Sequence, residues 1–204
     1  MRPHLPSWLR GPCPYSQRWM LNNPIRRGLQ PLGKTLAAIG LPAGGRVLEL
    51  GSGSGYFSFE AARRLGPDGR LLCLDLQPKM ARYLRRRLDE GGVGNVDVIV
   101  GDAMNLPLRP DSFDAAFLVT VLGELPNRQR GIAELRRAIR DGGTLSISEV
   151  LPDPHYQPRG RVRRECEAGG FRFQQIVRRP LGFVMNFVAA TAIESADSAP
   201  ARSP

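Results

Sequence analysis

Lysine is almost missing from this chain. Only Lys34 and Lys79 stand among 29 basic residues, and the rest are arginine. Histidine is limited to His4 and His155, and cysteine to Cys13, Cys73 and Cys166. None of these falls in zinc-ligand spacing, so no metal site is expected. Three cysteines so far apart suit free thiols in a reducing compartment and argue against a disulfide scaffold. No apolar run approaches the ~20 residues that a membrane span requires. The opening stretch MRPHLPSWLRGPCPYSQRWM also lacks the continuous apolar core of a signal peptide. These absences together predict a cytoplasmic protein with no membrane span.

What is present starts with charge. The formal net charge is +10. An arginine excess is the electrostatic footprint expected of a nucleic-acid binder. Here the arginines are spread along the chain instead of clustered. They come with abundant glycine, proline and alanine, which share GC-rich codons. Nucleic acid is therefore carried as the lesser expectation. With 204 residues, the chain is long enough for one domain with a full core.

From Arg46 onward, apolar runs alternate with amphipathic stretches. RVLEL, RLLCLD, VDVIVGD, FDAAFLVTVL and TLSISEV read as strands. YFSFEAARRL, QPKMARYLRRRLDEGG, NRQRGIAELRRAIRDGG and RGRVRRECEAGG read as helices, the third closed by its two glycines. GKTLAAIG adds one helix ahead of them. This alternation predicts an α/β fold with a parallel sheet and helices on both faces. FRFQQIV and LGFVMNFV differ, because only Arg178, Arg179 and Pro180 separate them. So short a link forces an antiparallel hairpin. The expectation is a Rossmann-like seven-stranded sheet, parallel except for its last strand, over residues 31–190. Residues 1–30, with Trp8, Tyr15, Trp19, Asn22, Asn23 and the pair Arg26–Arg27, form a separate segment, a lid or a structural cap. Residues 191–204 are small and polar and read as a disordered tail.

The stretch LELGSGSGYF at 48–57 follows the first strand. No lysine follows its glycines, so it is not a P-loop. Counted from Gly51, the sixth position of a dinucleotide fingerprint is Tyr56; counted from Gly53 it is Ser58. Neither fits. The pattern E-x-G-x-G-x-G, an acid ending the second strand, GDA after the third and a terminal hairpin instead resemble the class I S-adenosylmethionine-dependent methyltransferases. The likeness covers about residues 46–188 and is nearest to the small ubiquinone/menaquinone C-methyltransferase-like group. It implies S-adenosylmethionine as cofactor. It also implies a cofactor site made of Glu49, Gly51, Ser52, Gly53, Gly55, Asp75, Leu76, Asp102, Ala103 and Val119. Asp75 would take the ribose hydroxyls, Leu76 one adenine face, Asp102 and Ala103 the adenine, and Glu49 the methionine ammonium. Amides of a helix starting near Tyr56 would face the methionine carboxylate. Read as residues alone, Asp75 also suits a helix cap and Asp102 a solvated loop acid. Asp114 reads as a turn residue as readily as a strand acid.

A sulfonium needs alignment and exclusion of water more than acid–base help, so no catalytic dyad is required. The residues available for proton transfer stand at strand ends: Glu124 in VLGELPN, Glu149 in SEV, and His155 in DPHYQPR. Glu124 and His155 are the candidates, although a lone histidine in a proline-bounded loop also suits a structural or solvated role. Some relatives carry a histidine just before the glutamate, where this chain has Gly123. The motifs of amino-methylating enzymes of nucleic acid and protein, and the P-C pair of cysteine-nucleophile RNA enzymes, are missing after the fourth strand. The expected partner is a small-molecule acceptor. The alternatives are an RNA methyltransferase with an arginine-rich surface and a non-catalytic cofactor-binding subunit.

Overall fold

The structure, a computed structural model, describes residues 30–191 together with residues 15, 16 and 28. Trp8, Trp19, Asn22, Asn23, Arg26, Arg27 and Cys13 lie outside the described residues, as does the tail from 192 on.

In chain order the elements are α1 (Leu32–Ile39), β1 (Arg46–Leu50), α2 (Ser58–Leu65), β2 (Arg70–Asp75), α3 (Pro78–Glu90), β3 (Val96–Val100), β4 (Phe113–Val119), α4 (Arg128–Ala138), β5 (Ile139–Val150), α5 (Arg159–Ala168), β6 (Phe171–Arg179) and β7 (Gly182–Ala189). A single 3-10 turn, Leu122–Glu124, lies between β4 and α4. The seven strands form one sheet in the order β3-β2-β1-β4-β5-β7-β6. β7 runs antiparallel to both of its neighbours, and the remaining pairs are parallel. The sheet is thus parallel except for its last strand, as the short link before it requires.

Alternation along the strands fills both faces. Val47, Ala115, Phe117 and Val184 pack under α1, α2 and α3. Leu48, Leu118, Ile147 and Phe187 pack under α4 and α5. Burial on both sides explains why the central strands read as continuous apolar runs. Local signals set the helix ends. Gly40 stops α1 in the left-handed region, with its N–H donated to Leu36. Pro78 opens α3 at a position with no need of an N–H. The Asn127 side chain accepts the Arg130 N–H at the start of α4.

The structure departs from the sequence reading in three places. α4 ends at Ala138, and IRDGG belongs to β5. Ile139 is already extended and pairs with Phe113, and the ladder shifts register between Phe113 and Ala115. With Gly142 left-handed, the two glycines shape an irregular strand start instead of closing a helix. Arg178 and Arg179 are strand residues, and the hairpin turn is Pro180–Leu181. α2 begins at Ser58, after a run of turns from Gly53 to Phe57, and not near Tyr56.

Candidate active site

In a parallel sheet the carboxyl ends of the strands are where ligands bind, beside the point where strand order reverses. That point lies between β1 and β4. A cavity of about 230 Å³ opens there. Glu49, Gly51, Ser52, Gly53, Asp75, Leu76, Asp102, Ala103, Val119 and Glu124 line it. Four separate strand ends therefore converge on one space.

The turn after β1 explains its glycines. Gly51, Gly53 and Gly55 all have positive φ, at 71°, 54° and 84°. A side chain is disfavoured at each by backbone geometry before any ligand is considered. A Cβ on Gly51 would come 2.5 Å from Val121 Cγ2, and one on Gly55 would overlap Leu84. Gly55 is not among the lining residues: it lets the turn pack on α3. The glycine pattern thus has two physical causes, and close approach of a ligand is needed for neither Gly51 nor Gly55.

Asp75 ends β2 and is buried. Its Oδ2 accepts the Gly53 N–H at 2.9 Å and its Oδ1 the Gln77 N–H at 2.9 Å. Burial raises its pKa, and the two amide hydrogen bonds oppose that rise. Each carboxylate oxygen keeps acceptor capacity toward the cavity. No side-chain hydrogen bond caps α3, so the carboxylate closes the strand–helix turn without acting as its N-cap. Glu49, one strand over, is also buried; its Oε2 accepts from Ser58 Oγ at 2.6 Å and Cys73 Sγ at 3.3 Å. Burial, with Glu49 adding to it, pushes the Cys73 thiol well up. Ser52 Oγ is buried and has no hydrogen-bond partner among the described residues. Leu76 is 53% exposed on the cavity wall. Asp102 accepts the Met104 N–H at 2.9 Å and starts a tight turn bridged to Asn105.

At the far end of the cavity stand Val119, Thr120, Val121, Glu124, Leu125 and Pro126. Thr120 is left-handed (φ 57°), with its N–H donated to Ser148 and its Oγ1 to its neighbour's carbonyl at 2.7 Å. A non-glycine residue held so is a local strain of the kind found at functional sites. His155 is not among the lining residues. Its N–H donates to Asp153 Oδ1 at 2.7 Å, and its carbonyl accepts Gln157 Nε2 at 2.6 Å. A Cβ on Gly123 would overlap that same carbonyl. Gly123 is therefore required by the 152–157 loop packed upon it. Asp114 lies at the opposite edge, accepting the Arg46 N–H and the Arg140 guanidinium.

Sequence reasoning missed Gln77, Met80, Met104 and Val121, which also line the cavity. Met80 and Gln77 carry the signal of a first helical turn directly after a strand-end acid. Tyr15 approaches the same rim: its N–H donates to Gln77 Oε1 at 3.2 Å and its ring meets Tyr83 edge-on.

Comparisons with known proteins place this geometry. Residues 47–143 match the model of a methyltransferase domain. An arsenite methyltransferase of Halobacterium salinarum is 32% identical over 119 residues, which is 58% of this chain and 30% of that protein. A ubiquinone/menaquinone biosynthesis C-methyltransferase of Pseudomonas putida is 29% identical over 133 residues, 64% of this chain and 52% of that protein. The match thus spans only 30% of the length of one of these curated relatives and 52% of the other. A SAM-dependent methyltransferase from Aquifex aeolicus superposes with a TM-score of 0.82 at 24% identity, covering 87% of this chain and 99% of that one. A [4+2]-cyclase, SpnF, superposes with a TM-score of 0.66 at 23% identity, covering 72% of this chain and 58% of that one.

Proposed function

The chain carries a class I S-adenosylmethionine-dependent methyltransferase domain, with S-adenosylmethionine as its cofactor, and from that premise we propose that it methylates a small-molecule acceptor held beside Glu124. The observation that carries this reading is the single cavity in which the ends of β1, β2 and β4 meet and which runs on to Glu124.

The lining suits the cofactor group by group. Asp75 keeps acceptor capacity on both oxygens, which matches a pair of ribose hydroxyls. The unpartnered Ser52 Oγ can donate to a carboxylate. Leu76 offers an exposed apolar side chain to a flat ring. Asp102 and Ala103 bound the same end, and Glu49 supplies a buried negative charge near the glycine turn. When bound, S-adenosylmethionine supplies a methyl group already activated by its sulfonium. The protein's part is to hold the acceptor in line and keep water out. Glu124 is the lining carboxylate placed to take a proton from an acceptor that loses one. Tyr15, at the Gln77 rim, supports the reading of the N-terminal segment as a lid over this cavity.

Both curated relatives named above are called after small acceptors or their pathways, arsenite in one and ubiquinone/menaquinone in the other. A second reading rests on arginines of α5 and β6. Arg159, Arg164, Arg172 and Arg178 are exposed, and none of their side chains makes a hydrogen bond or ion pair among the described residues. Such side chains suit the phosphates of RNA. Elsewhere arginines are matched by acids, as in Arg128 with Glu165 and Arg140 with Asp114, so the excess charge is not one continuous surface. Two buried free thiols, Cys73 and Cys166, support a reducing compartment such as the cytoplasm.

The deciding experiment gives the protein labelled S-adenosylmethionine and a cell extract, then fractionates by size. Label in metabolites supports the proposal, and label in RNA replaces it with the second reading. Cofactor binding with no label transferred would leave a non-catalytic subunit.

A further inference from the structure

Glu49 is a carboxyl group set into an apolar sheet face. Its neighbours in the parallel ladders are Cys73 on β2 and Phe117 on β4. Both belong to the buried cluster of Val47, Phe57 and Ala61. Glu49 is itself 4% exposed, yet it lines the cavity. A buried carboxyl is costly unless hydrogen bonds replace the water it loses.

The replacement comes from two elements. Ser58 opens α2, and its Oγ donates to Glu49 Oε2 at 2.6 Å. Cys73 Sγ donates to the same oxygen at 3.3 Å. Ser58 and Cys73 are both 0% exposed. Rotating the carboxyl would break both bonds at once, so Glu49 meets the cavity in one orientation.

Neither donor is demanded by the element that carries it. Phe57 is the N-cap of α2 and makes no side-chain capping bond, and the Ser58 hydroxyl is turned to a strand nine residues back. Alanine at this position would serve the helix better. Valine at position 73 would serve the strand as well. The thiol is also held in its donor form. Burial, with the Glu49 charge adding to it, pushes Cys73 well above the ordinary thiol range. It therefore keeps its S–H and is no nucleophile.

We propose that Ser58 and Cys73 are positioning residues acting through Glu49, holding its carboxyl in one orientation to receive the cationic amine at the amino-acid end of the cofactor. This rests on the methyl-transfer reading above. A cation beside a carboxylate gains more in a buried site than in water. The gain is largest when the carboxylate needs no reordering on binding, and two fixed donors remove that cost. S-adenosylhomocysteine carries the same amine without the sulfonium charge, so it isolates this contact.

The test compares two ligands by calorimetry on the full chain: S-adenosylhomocysteine and its analogue with hydrogen in place of the amine. The variants are Ser58→Ala, Cys73→Ala and Cys73→Ser, the last of which keeps a donor. Wild type should prefer the ligand with the amine. Ser58→Ala and Cys73→Ala should each bind that ligand roughly 2- to 10-fold more weakly, the worth of one hydrogen bond, and bind the analogue as wild type does. Cys73→Ser should restore the preference. Equal weakening of both ligands would make the two residues merely structural and overturn the proposal, as would unchanged affinity for both.

A second arm leaves the cluster intact. With Cys13→Ala and Cys166→Ala combined, Cys73 is the one remaining thiol of the chain. Its infrared S–H stretch should lie at the lowered frequency of a hydrogen-bonded thiol. It should move when S-adenosylhomocysteine binds and stay still when the analogue binds. A band indifferent to the amine overturns the proposal even where the cluster variants fail to fold. If wild type binds neither ligand, the methyl-transfer reading fails and the proposal with it. If wild type binds both equally, the proposal alone fails.

Discussion

The Gly53 N–H donates to Asp75 Oδ2 at 2.9 Å, joining the turn after β1 to the end of β2. One hydrogen bond thus joins two features of the cofactor reading that stand 22 residues apart in sequence. Asp75→Ala removes the acceptor for Gly53 and Gln77 along with the two outward-facing oxygens. Loss of a hydrogen bond to a charged group costs roughly 1.5–3 kcal/mol. S-adenosylhomocysteine binding, measured by calorimetry, should weaken by that amount in a folded variant. Unchanged affinity would sink the assignment of Asp75 to the ribose.

Gly51 gives a sharper separation of causes. Gly51→Ala places a methyl group 2.5 Å from Val121 Cγ2 and forces a left-handed alanine. The second effect alone costs roughly 1–2 kcal/mol. Urea unfolding should show Gly51→Ala destabilised by more than this. Made in a Val121→Ala background, the same change should cost only the conformational part. Equal costs in both backgrounds would mean that Val121 yields freely and that backbone strain is the whole effect.

Much of this site was legible because its chemistry is local. Glycines needing positive φ, an acid at a strand end and a hairpin link too short for a crossover each announce themselves within ten residues. IRDGG was misread because a glycine pair signals a helix stop and a strand irregularity equally well, and only the pairing of Ile139 with Phe113 decides between them. The position of His155 was not legible either. Its place depends on the 152–157 loop folding over Gly123, a contact between residues more than thirty apart with no local signature. Glu149 showed only as a strand-end acid; its burial comes from β7, the loop and α5 together.

Asp114 sets a pH prediction at the opposite edge of the sheet. The Arg46 N–H and the Arg140 guanidinium hold its carboxyl below the usual carboxylate range. A depressed pKa stabilises the fold above the unfolded-state value, and that stability is lost as pH falls through the folded one. The Arg140 side chain is half exposed, so the ion pair itself is worth only roughly 0.2–1 kcal/mol. Asp114→Asn should lower stability at pH 7 and flatten its decline below about pH 4. A variant that declines in acid as steeply as the wild type would remove Asp114 from the account.

Tyr15 separates lid from cap. Its backbone meets Gln77 and its ring meets Tyr83. If the segment covers the cavity, Tyr15→Ala should weaken S-adenosylhomocysteine binding while ligand-free melting stays unchanged. If the segment only covers sheet or helix surface, melting should fall equally with and without ligand, because the lost ring contact, roughly 0.5–1.5 kcal/mol, belongs to the fold alone.

The last prediction sets His155 against Glu124. His155 is tied down through its backbone, by Asp153 Oδ1 on one side and Gln157 Nε2 on the other. Its carbonyl fills the space where a Gly123 side chain would go. Neither role uses the imidazole, and His155 does not line the cavity. Glu124 does line it, and the proposed function gives its carboxylate the acceptor's proton. Positioned proton transfer contributes about 10²–10⁴-fold in rate. Glu124→Gln should therefore lower kcat by about that range on an acceptor that loses a proton, while His155→Ala leaves it nearly unchanged. Gly123→Ala should do what His155→Ala does not: displace the loop, lower the melting temperature and slow transfer together. Steady-state kinetics on the three variants decide it. A His155→Ala loss as deep as that of Glu124→Gln would show that the imidazole swings into the cavity during turnover, and would move the proton-accepting role from Glu124 to His155.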